Sequence, residues 1–405
     1  MKRQMVLIAT IVIAFGACAG CAGKEQARRP TGPGWTATGS MLAARHGHSA
    51  ILLRDGRVLV AGGQGSDSRP LSSAELYTPS AETWTSTGSM VTPLQSPTAS
   101  LLRDGRVLIM GTTGERPDAN TVELYDPLSG MWTEADDTTT LRQDYTMTPL
   151  ADGRVLVAGG SDPSTDKSLA SAEIFDPDTG AWSPTGTMGT PRCGHTATLL
   201  RDGRVLVAGE LCGAAAAGIG GSGGAAAAAA TPTATRPQGS RATDEPSPPG
   251  SAAPLPASAE VYDPGTGKWS PAGGSTAPRR AAAATLLADG RVFVLALTPF
   301  AAVRIFDPGT ETWHPAGKVR GWMSPQAIPL ADGRVVVTTF RELEIYDPRT
   351  EASLSIQTGD ATDSGYSATL LADGRVLLAG GYALLSSGGF APVGEVLGFA
   401  HLYLP

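Results

Sequence analysis

The sequence predicts an all-β fold, a seven-bladed β-propeller whose last blade is closed by an N-terminal strand around Trp35. The first observation is the tetrapeptide DGRV, whose aspartates are Asp55, Asp104, Asp152, Asp202, Asp289, Asp332 and Asp373. Successive aspartates are 49, 48, 50, 87, 43 and 41 residues apart. Periods of about 40 to 50 residues are typical of four-stranded propeller blades. The second observation is composition: 51 glycines, 31 prolines and only 17% charged residues suit short strands joined by tight turns.

Each DGRV lies between two apolar runs, as in "HSAILL" and "VLVAGG". Asp-Gly between hydrophobic runs predicts a β-hairpin with a two-residue turn, because glycine tolerates the positive φ of a tight turn. The apolar runs are continuous, which is typical of strands buried on both faces. These runs therefore predict the two inner strands of each blade.

A third strand follows in each unit, and its end is marked by Pro79, Pro127, Pro177, Pro264, Pro308, Pro348 or Pro405. A fourth strand begins five residues later at a tryptophan in the first five units: Trp84, Trp132, Trp182, Trp269 and Trp313. The seventh unit has no fourth strand after Pro405, whereas "GWTATGSM" from Gly34 to Met41 is a spare copy. A blade built from both segments closes the ring and removes exposed strand edges.

The unit "RHGHSAILLRDGRVLVAGG", followed by "SSAELYTPSAETWTSTGSM", resembles the kelch repeat of the galactose oxidase-like superfamily in its glycine doublet, tyrosine and tryptophan. The resemblance covers residues 34–405 apart from one insertion and implies a kelch-type propeller. The doublet is complete at Gly62–Gly63, Gly159–Gly160 and Gly380–Gly381, and is reduced to Gly111 or Gly209 in units 2 and 4. Units 5 and 6 lack it, and unit 6 has Ser353 in place of the tryptophan, so these two units are degenerate.

The N-terminus predicts a bacterial lipoprotein signal over residues 1–21. Lys2 and Arg3 precede an apolar run from Met5 to Ala17, which has the length of a signal-peptide core and is too short to span a bilayer. "FGACAGCAG" resembles a lipobox, with Cys21 as the lipidated residue and Cys18 as the alternative. An ordinary signal peptide with incidental cysteines is the other interpretation. Residues 22–33 form a tether, and we expect an extracytoplasmic protein anchored at the outer membrane or cell surface.

Residues 213 to about 257 form an insertion rich in Ala, Gly and Pro, which has too few large apolar side chains to predict ordered structure. Cys193 and Cys212 are the remaining cysteines. A two-residue turn at Asp202–Gly203 places Leu199 opposite Leu206 and Cys193 opposite Cys212. Opposed residues lie within disulfide range, so we predict this bond in an oxidising compartment.

One repeat position ten residues before the turn aspartate carries arginine, and the position seven before it carries histidine or tyrosine. Both precede the innermost strand, so they predict a polar rim around one mouth of the channel and a ligand-binding role. The rim residues are Arg45, His48, Arg142, Tyr145, Arg192, His195, Arg279 and Tyr366. A structural role is the alternative. A repeated glutamate (Glu75, Glu123, Glu173, Glu260, Glu344) predicts a structural ion pair with the DGR arginine.

Two histidines and two tyrosines at the rim invite comparison with galactose oxidase, which uses two Tyr, two His and a Cys–Tyr cross-link to hold copper. That family includes an adjacent Tyr-His pair, which this sequence lacks. No HExxH or zinc-like cysteine spacing occurs either. We therefore predict no catalytic residue, no metal and no cofactor.

The formal charge of −7, without a basic cluster, argues against a nucleic-acid partner. The sequence favours a monomeric, non-catalytic lipoprotein scaffold that binds a protein or glycan through one propeller face. That face carries the rim and the loops after the second strands, because loops on rigid scaffolds carry binding. The alternative function is a galactose oxidase-like copper-radical oxidase or another carbohydrate-active enzyme.

Overall fold

The computed structural model describes residues 34–113, 116–209, 259–273, 278, 281–298, 300–319, 325–339, 342–357, 365–384 and 394–405. These residues form seven four-stranded antiparallel sheets, the blades, numbered here in chain order. None of the described segments forms a helix long and apolar enough to cross a lipid bilayer. The all-β prediction is confirmed.

The first four blades have the following strands, from the first to the fourth. They are Ser49–Leu52, Val58–Ala61, Ala74–Thr78 and Thr83–Ser86; Gln95–Leu101, Val107–Thr113, Arg116–Asp126 and Met131–Glu134; Thr146–Pro149, Val155–Ala158, Ala172–Asp176 and Ala181–Pro184; and Thr196–Leu199, Val205–Ala208, Ala259–Asp263 and Lys268–Pro271.

The remaining strands form blades 5 to 7. They are Ala281–Leu286, Val292–Thr298, Phe300–Asp307 and Thr312–Lys318; Gln326–Pro329, Val335–Thr339, Glu342–Asp347 and Ala352–Gln357; and Ser367–Leu370, Val376–Ala379, Ala400–Leu404 and Gly34–Ala37. Two short hairpins pair Ser161–Asp162 with Lys167–Ser168 and Tyr382–Leu384 with Gly394–Val396.

The seven blades form a closed ring. The first strand of every blade contacts the first strands of the two neighbouring blades, including those of blades 7 and 1. In blade 7, Gly34–Ala37 pairs with Ala400–Leu404, with Trp35 opposite Tyr403. The predicted closure by the N-terminal strand is confirmed.

The DGR turn differs from the prediction. In blade 4, Leu200 N donates to Arg204 O at 2.8 Å and Gly203 has a φ of +88°, so Arg201, Asp202 and Gly203 form a three-residue loop. A type I turn followed by a left-handed glycine matches the twist of the flanking strands. Leu199 therefore lies opposite Val205 and not Leu206, and the predicted register was wrong by one residue.

The register error removes the geometric argument for the Cys193–Cys212 disulfide. Cys193 is fully buried and precedes the first strand of blade 4, with its Sγ 3.2 Å from Ser168 Oγ. Cys212, like the insertion and the lipobox cysteines, lies outside the described residues. Cys193 is disulfide-bonded, and its pairing with Cys212 stays a prediction.

Apolar clusters fill the joints between blades. In blade 1, Trp84 packs on Tyr77 with ring centroids 5.0 Å apart. Trp84 Nε1 donates to Gly39 O at 2.6 Å, and Tyr77 OH lies 2.7 Å from Thr38 Oγ1. Gly39 and Thr38 follow the outer strand of blade 7. These aromatic side chains therefore bond blade 1 to the blade before it, and the tryptophan bond recurs in blades 2 to 5, at Trp132, Trp182, Trp269 and Trp313.

The glycine doublet also serves the joints. Gly160 has a φ of +95°, and its N donates to Arg192 O of blade 4 at 2.9 Å. A Cβ at this position would lie 2.5 Å from Gln143 O. Glycine is required here because the backbone is left-handed and a second backbone segment approaches it closely.

Two faces of the ring can now be defined. The turn face carries the seven DGR turns and the turns between third and fourth strands. The loop face carries the loops between second and third strands and the links that join one blade to the next. Strand polarity assigns these segments to opposite ends of every blade.

Candidate functional site

The rim arginines lie inside the protein. Arg45 and Arg142 are 0% exposed and Arg192 is 1% exposed. Each pairs with the glutamate of the third strand in its own blade: Arg45 with Glu75 at 2.8 Å, Arg142 with Glu173 at 2.6 Å and Arg192 with Glu260 at 2.6 Å. A solute in the channel cannot reach them. These three arginines are not available as an accessible ligand-binding rim, because the polar partners they need are supplied by their own blade.

Arg142 shows what the arginine does. Its Nη1 donates to Gly159 O at 2.7 Å and to Ser171 O at 3.1 Å, at the end of the second strand and the start of the third. These carbonyls flank the point where the two strands separate into a loop. Arg45 binds Gly62 O and Ser73 O in the same way. The arginine therefore holds together the base of the loop.

The paired glutamate has a second task. Glu173 Oε2 accepts bonds from Thr139 N and Oγ1, both at 2.8 Å, in the link that enters blade 3. Glu75, Glu123 and Glu260 accept two link N–H groups each. The DGR arginines pair instead with the aspartates of their own turns. The prediction that the glutamate pairs with the DGR arginine was wrong for Glu75, Glu173 and Glu260.

Blade 2 has Leu94 at the arginine position, and its glutamate titrates differently. Burial raises the pKa of Glu123 above its ordinary value, and the bonds from Val91 N and Thr92 N only partly offset this. Burial also pushes the pKa of Glu173 upward, but the bonds from Thr139 and Arg142 outweigh it and the net pKa is lowered. The bonds from Thr139 and the buried Arg142 cation therefore together stabilise the ionised form of Glu173.

The histidines bridge blades through their Nε2 atoms. His48 Nε2 lies 2.8 Å from Ser367 Oγ of blade 7, and His195 Nε2 lies 2.9 Å from Thr146 Oγ1 of blade 3. Burial, reinforced by nearby arginines, lowers the pKa of each histidine to about 3. Both rings are therefore neutral at physiological pH, and His48 contributes to the joint that closes the ring.

The tyrosines occupy equivalent joints. Tyr145 OH donates to Met110 O of blade 2 at 2.7 Å, and burial raises its pKa. Burial raises the pKa of Tyr366 to about 12, and its backbone oxygen accepts a bond from Gln326 of blade 6. Arg279 lies outside the described residues. The described rim residues thus belong to separate joints and do not converge on one site.

The sequence reasoning missed a ring of left-handed residues that directly precede the histidine/tyrosine position. Gly47, Ser96, Asp144, Gly194 and Gly365 all have φ between 47° and 73°. Consecutive members bond across joints: Gly47 N donates to Gly365 O at 2.9 Å, and Gly194 N donates to Asp144 O at 2.7 Å. Three glycines at one repeat position were the available signal.

The loop face is uneven. Between second and third strands, blade 1 has a loop over residues 62–73 with exposed Asp67 and Arg69, and blade 3 has the hairpin of Ser161–Ser168. In blades 5 and 6 the corresponding strands are joined by very short connections. Beside the blade 3 hairpin, burial and the nearby Asp166 raise the pKa of Asp144.

Exposed apolar side chains mark the links on the same face. Leu42 is 66% exposed and Val91 is 58% exposed. They occupy one repeat position in adjacent blades, where the backbone N binds the blade's glutamate. The equivalent residues entering blades 3 and 4 are Thr139 and Gly189. An aliphatic patch, defined by Leu42 and Val91, therefore lies at the edge of the loop face over blades 1 and 2.

The described residues offer no group of three His, Cys, Asp or Glu side chains that could hold a metal ion. The histidines and tyrosines compared above with copper ligands are bonded at separate joints, between blades 7 and 1, 2 and 3, 3 and 4, and 6 and 7. This set does not fit a copper centre.

The closed ring of four-stranded sheets defines a β-propeller protein. The kelch motif matches residues 45–91 and 150–189, and the chain is a kelch-repeat propeller. No curated protein matches the sequence significantly. Among solved structures, the chain is similar to a fungal alcohol oxidase of the AA5 family in complex with copper. That similarity has a TM-score of 0.61 and 17% identity, and covers 92% of this chain and 76% of the oxidase. At this identity the similarity shows the fold alone.

Proposed function

We propose that this kelch-repeat propeller is a non-catalytic, extracytoplasmic scaffold that is lipid-anchored and binds a protein or glycan through its loop face. The observation that carries the proposal is the contrast between the faces. Every blade repeats one charge-paired DGR turn on the turn face, whereas loop length and side chains differ from blade to blade on the loop face. Variation on a rigid scaffold is typical of a binding surface.

The aliphatic patch of Leu42 and Val91 favours a protein partner over a glycan. Two aliphatic side chains that are more than half exposed leave apolar area that a partner can cover. The loop of blade 1 supplies the exposed Asp67 and Arg69 on the same face. Apolar contacts surrounded by polar residues are the usual composition of a protein interface. Arg45 and Arg192 serve the fold instead, so their substitution tests stability and not binding.

The test compares capture from envelope extract by immobilised wild type and two variants. Leu42→Ser with Val91→Ser should lower capture of the specific partner about tenfold, which corresponds to a loss of about 1.4 kcal/mol of binding free energy. Leu128→Ser is the matched control, since Leu128 is 98% exposed on the turn face and its loss should leave capture unchanged. Equal capture by all three proteins would refute the loop-face site, and a glycan array probed with the same variants distinguishes a carbohydrate ligand.

The anchor and the disulfide rest on the sequence. Lipidation at Cys21, or at Cys18 as the alternative, is tested by mass spectrometry of the mature N-terminus, where an unmodified N-terminus would overturn it. In protein exported to an oxidising compartment we expect Cys193 and Cys212 to be joined. Two free thiols in the exported protein would contradict that bond.

A copper-dependent oxidase is the second candidate, favoured by the likeness to the AA5 alcohol oxidase. Tight stoichiometric copper uptake with a radical absorption band, measured on the purified protein, would replace the binding proposal with this one.

A further inference from the structure

The polarity of the closing strand shows where the chain enters the propeller. Gly34 lies opposite Leu404, at the end of the third strand of blade 7. Third strands end at the turn face in every blade, because they run antiparallel to the second strands, which begin there after the DGR turns. The segment before Gly34 therefore joins the propeller at the turn face.

We propose that the turn face lies toward the membrane and the loop face points away from it. The partner of the turn face is the surface of the bilayer that carries the chain's own lipid, so this inference rests on the proposed lipid anchor. Residues 22–33 can span at most about 40 Å when extended. An attachment on the turn face lets the tether reach the membrane directly, whereas the opposite orientation would require it to pass around the side of the ring.

An exposed apolar turn on the same face supports this orientation. Leu128 is 98% exposed in the turn between the third and fourth strands of blade 2, and Met131, the first residue of that fourth strand, is 62% exposed. The DGR turn of blade 1 lies beside it, since Arg57 Nη2 donates to Pro127 O at 3.3 Å. Aliphatic and thioether side chains at a protein's edge gain free energy when they enter the interfacial region of a bilayer.

Charge on the turn face is mixed and does not make an anionic-lipid site. All seven DGR aspartates pair with the arginine two residues later. Arg54, Arg103 and Arg201 add exposed positive charge. Acidic side chains of the neighbouring turns, such as Asp126 and Asp263, oppose it. The orientation should therefore depend on the tether and the apolar turn, and not on ionic strength or lipid charge.

The test measures how close each face comes to the lipid headgroups. Full-length protein with Leu128→Cys or Val91→Cys, each labelled with an environment-sensitive fluorophore, is reconstituted into phosphatidylcholine vesicles that contain a headgroup-nitroxide lipid. We expect several-fold stronger quenching at position 128 than at position 91. The ratio should not change when phosphatidylglycerol or salt is added. Cys193 is fully buried and disulfide-bonded, so it does not react with the label.

The controls separate the two proposals. Cys18→Ser with Cys21→Ser, in each labelled protein, should abolish quenching at both positions. If mass spectrometry finds no lipid on the parent protein, the proposed anchor fails. If the lipid is present but quenching is equal at the two positions or stronger at position 91, the orientation is overturned while the anchor stands. A quenching ratio that changes with lipid charge would also contradict the proposed orientation, because it would show that the face docks through electrostatic attraction.

Discussion

Blades 2 and 3 stabilise the same part of a blade in different ways. In blade 3 the pairing of the second and third strands stops at the pair Ala158–Ala172. Arg142 then bridges Gly159 O and Ser171 O at the base of the loop. In blade 2 the ladder continues through Gly111–Thr121 and Thr112–Asn120, and Leu94 replaces the arginine. The buried arginine thus occurs where backbone pairing stops.

The glutamate is present in both blades, because its task differs from that of the arginine. Glu123 and Glu173 both accept N–H groups from the link that enters the blade. Asn120 of blade 2 adds a contact of its own, since it exchanges two bonds with the backbone of Arg142. The comparison separates two roles: the glutamate binds the entering link in both blades, whereas the arginine is present only in the blade with an open loop.

The largest effect is expected for Arg142→Leu, which gives blade 3 the residue type found in blade 2. Glu173 would remain buried without its cation, and two carbonyls would lose a donor, so the free energy of unfolding should fall by about 3–5 kcal/mol. Arg154→Leu in the same blade is the control. It removes an exposed pair with Asp152 and should cost less than about 1 kcal/mol. Urea denaturation measures both, and similar losses would refute the distinction.

A smaller difference should separate the two glutamates. Glu173→Gln leaves Arg142 buried beside a neutral amide and should cost about 2–3 kcal/mol. Glu123→Gln should change the free energy of unfolding by less than about 1 kcal/mol, because no cation faces this carboxylate and its pKa is already raised by burial. Equal losses in the two variants would show that the link N–H groups, and not the arginine, dominate.

The smallest effect concerns His195, which lies at the joint that blade 3 makes with blade 4. The folded protein keeps this ring neutral down to about pH 3, whereas the unfolded chain takes up a proton near pH 6.5. The contribution is complete above pH 6.5 and declines as the pH falls toward 3, by about 2 kcal/mol at pH 5. The stability of His195→Gln, measured by thermal unfolding at pH 7 and pH 5, should therefore depend less on pH. An unchanged pH dependence would contradict a buried neutral histidine.

Much of the fold could be predicted because the repeat is visible in the sequence. The Asp-Gly turns, the apolar runs and the tryptophans each recur once per unit, and the spare copy at Trp35 predicted closure correctly. The turn type was missed, since two-residue and three-residue hairpin loops share the Asp-Gly signal and differ by one residue in loop length. The one extra residue in the loop changed the strand partner of Leu199 and removed the geometric argument for the Cys193–Cys212 disulfide.

The candidate site was predicted less well than the fold. Arg45, His48 and their repeats were grouped into two repeat positions, but a repeat position does not reveal whether its side chains face the channel or a joint. Leu42 and Val91 gave no signal, because single aliphatic residues in links look like core residues in a sequence.

The sequence by itself determined the number of blades, the order of their strands and the closure of the ring, since these follow from periodic local patterns. Only the tertiary structure decided that the polar repeat residues are internal to the blades and joints, and that the loop face and the turn face differ. The physical reason is that burial, ion pairing and pKa depend on partners that other strands of the blade or the next blade supply, and those partners are about 30 to 320 residues apart in the chain.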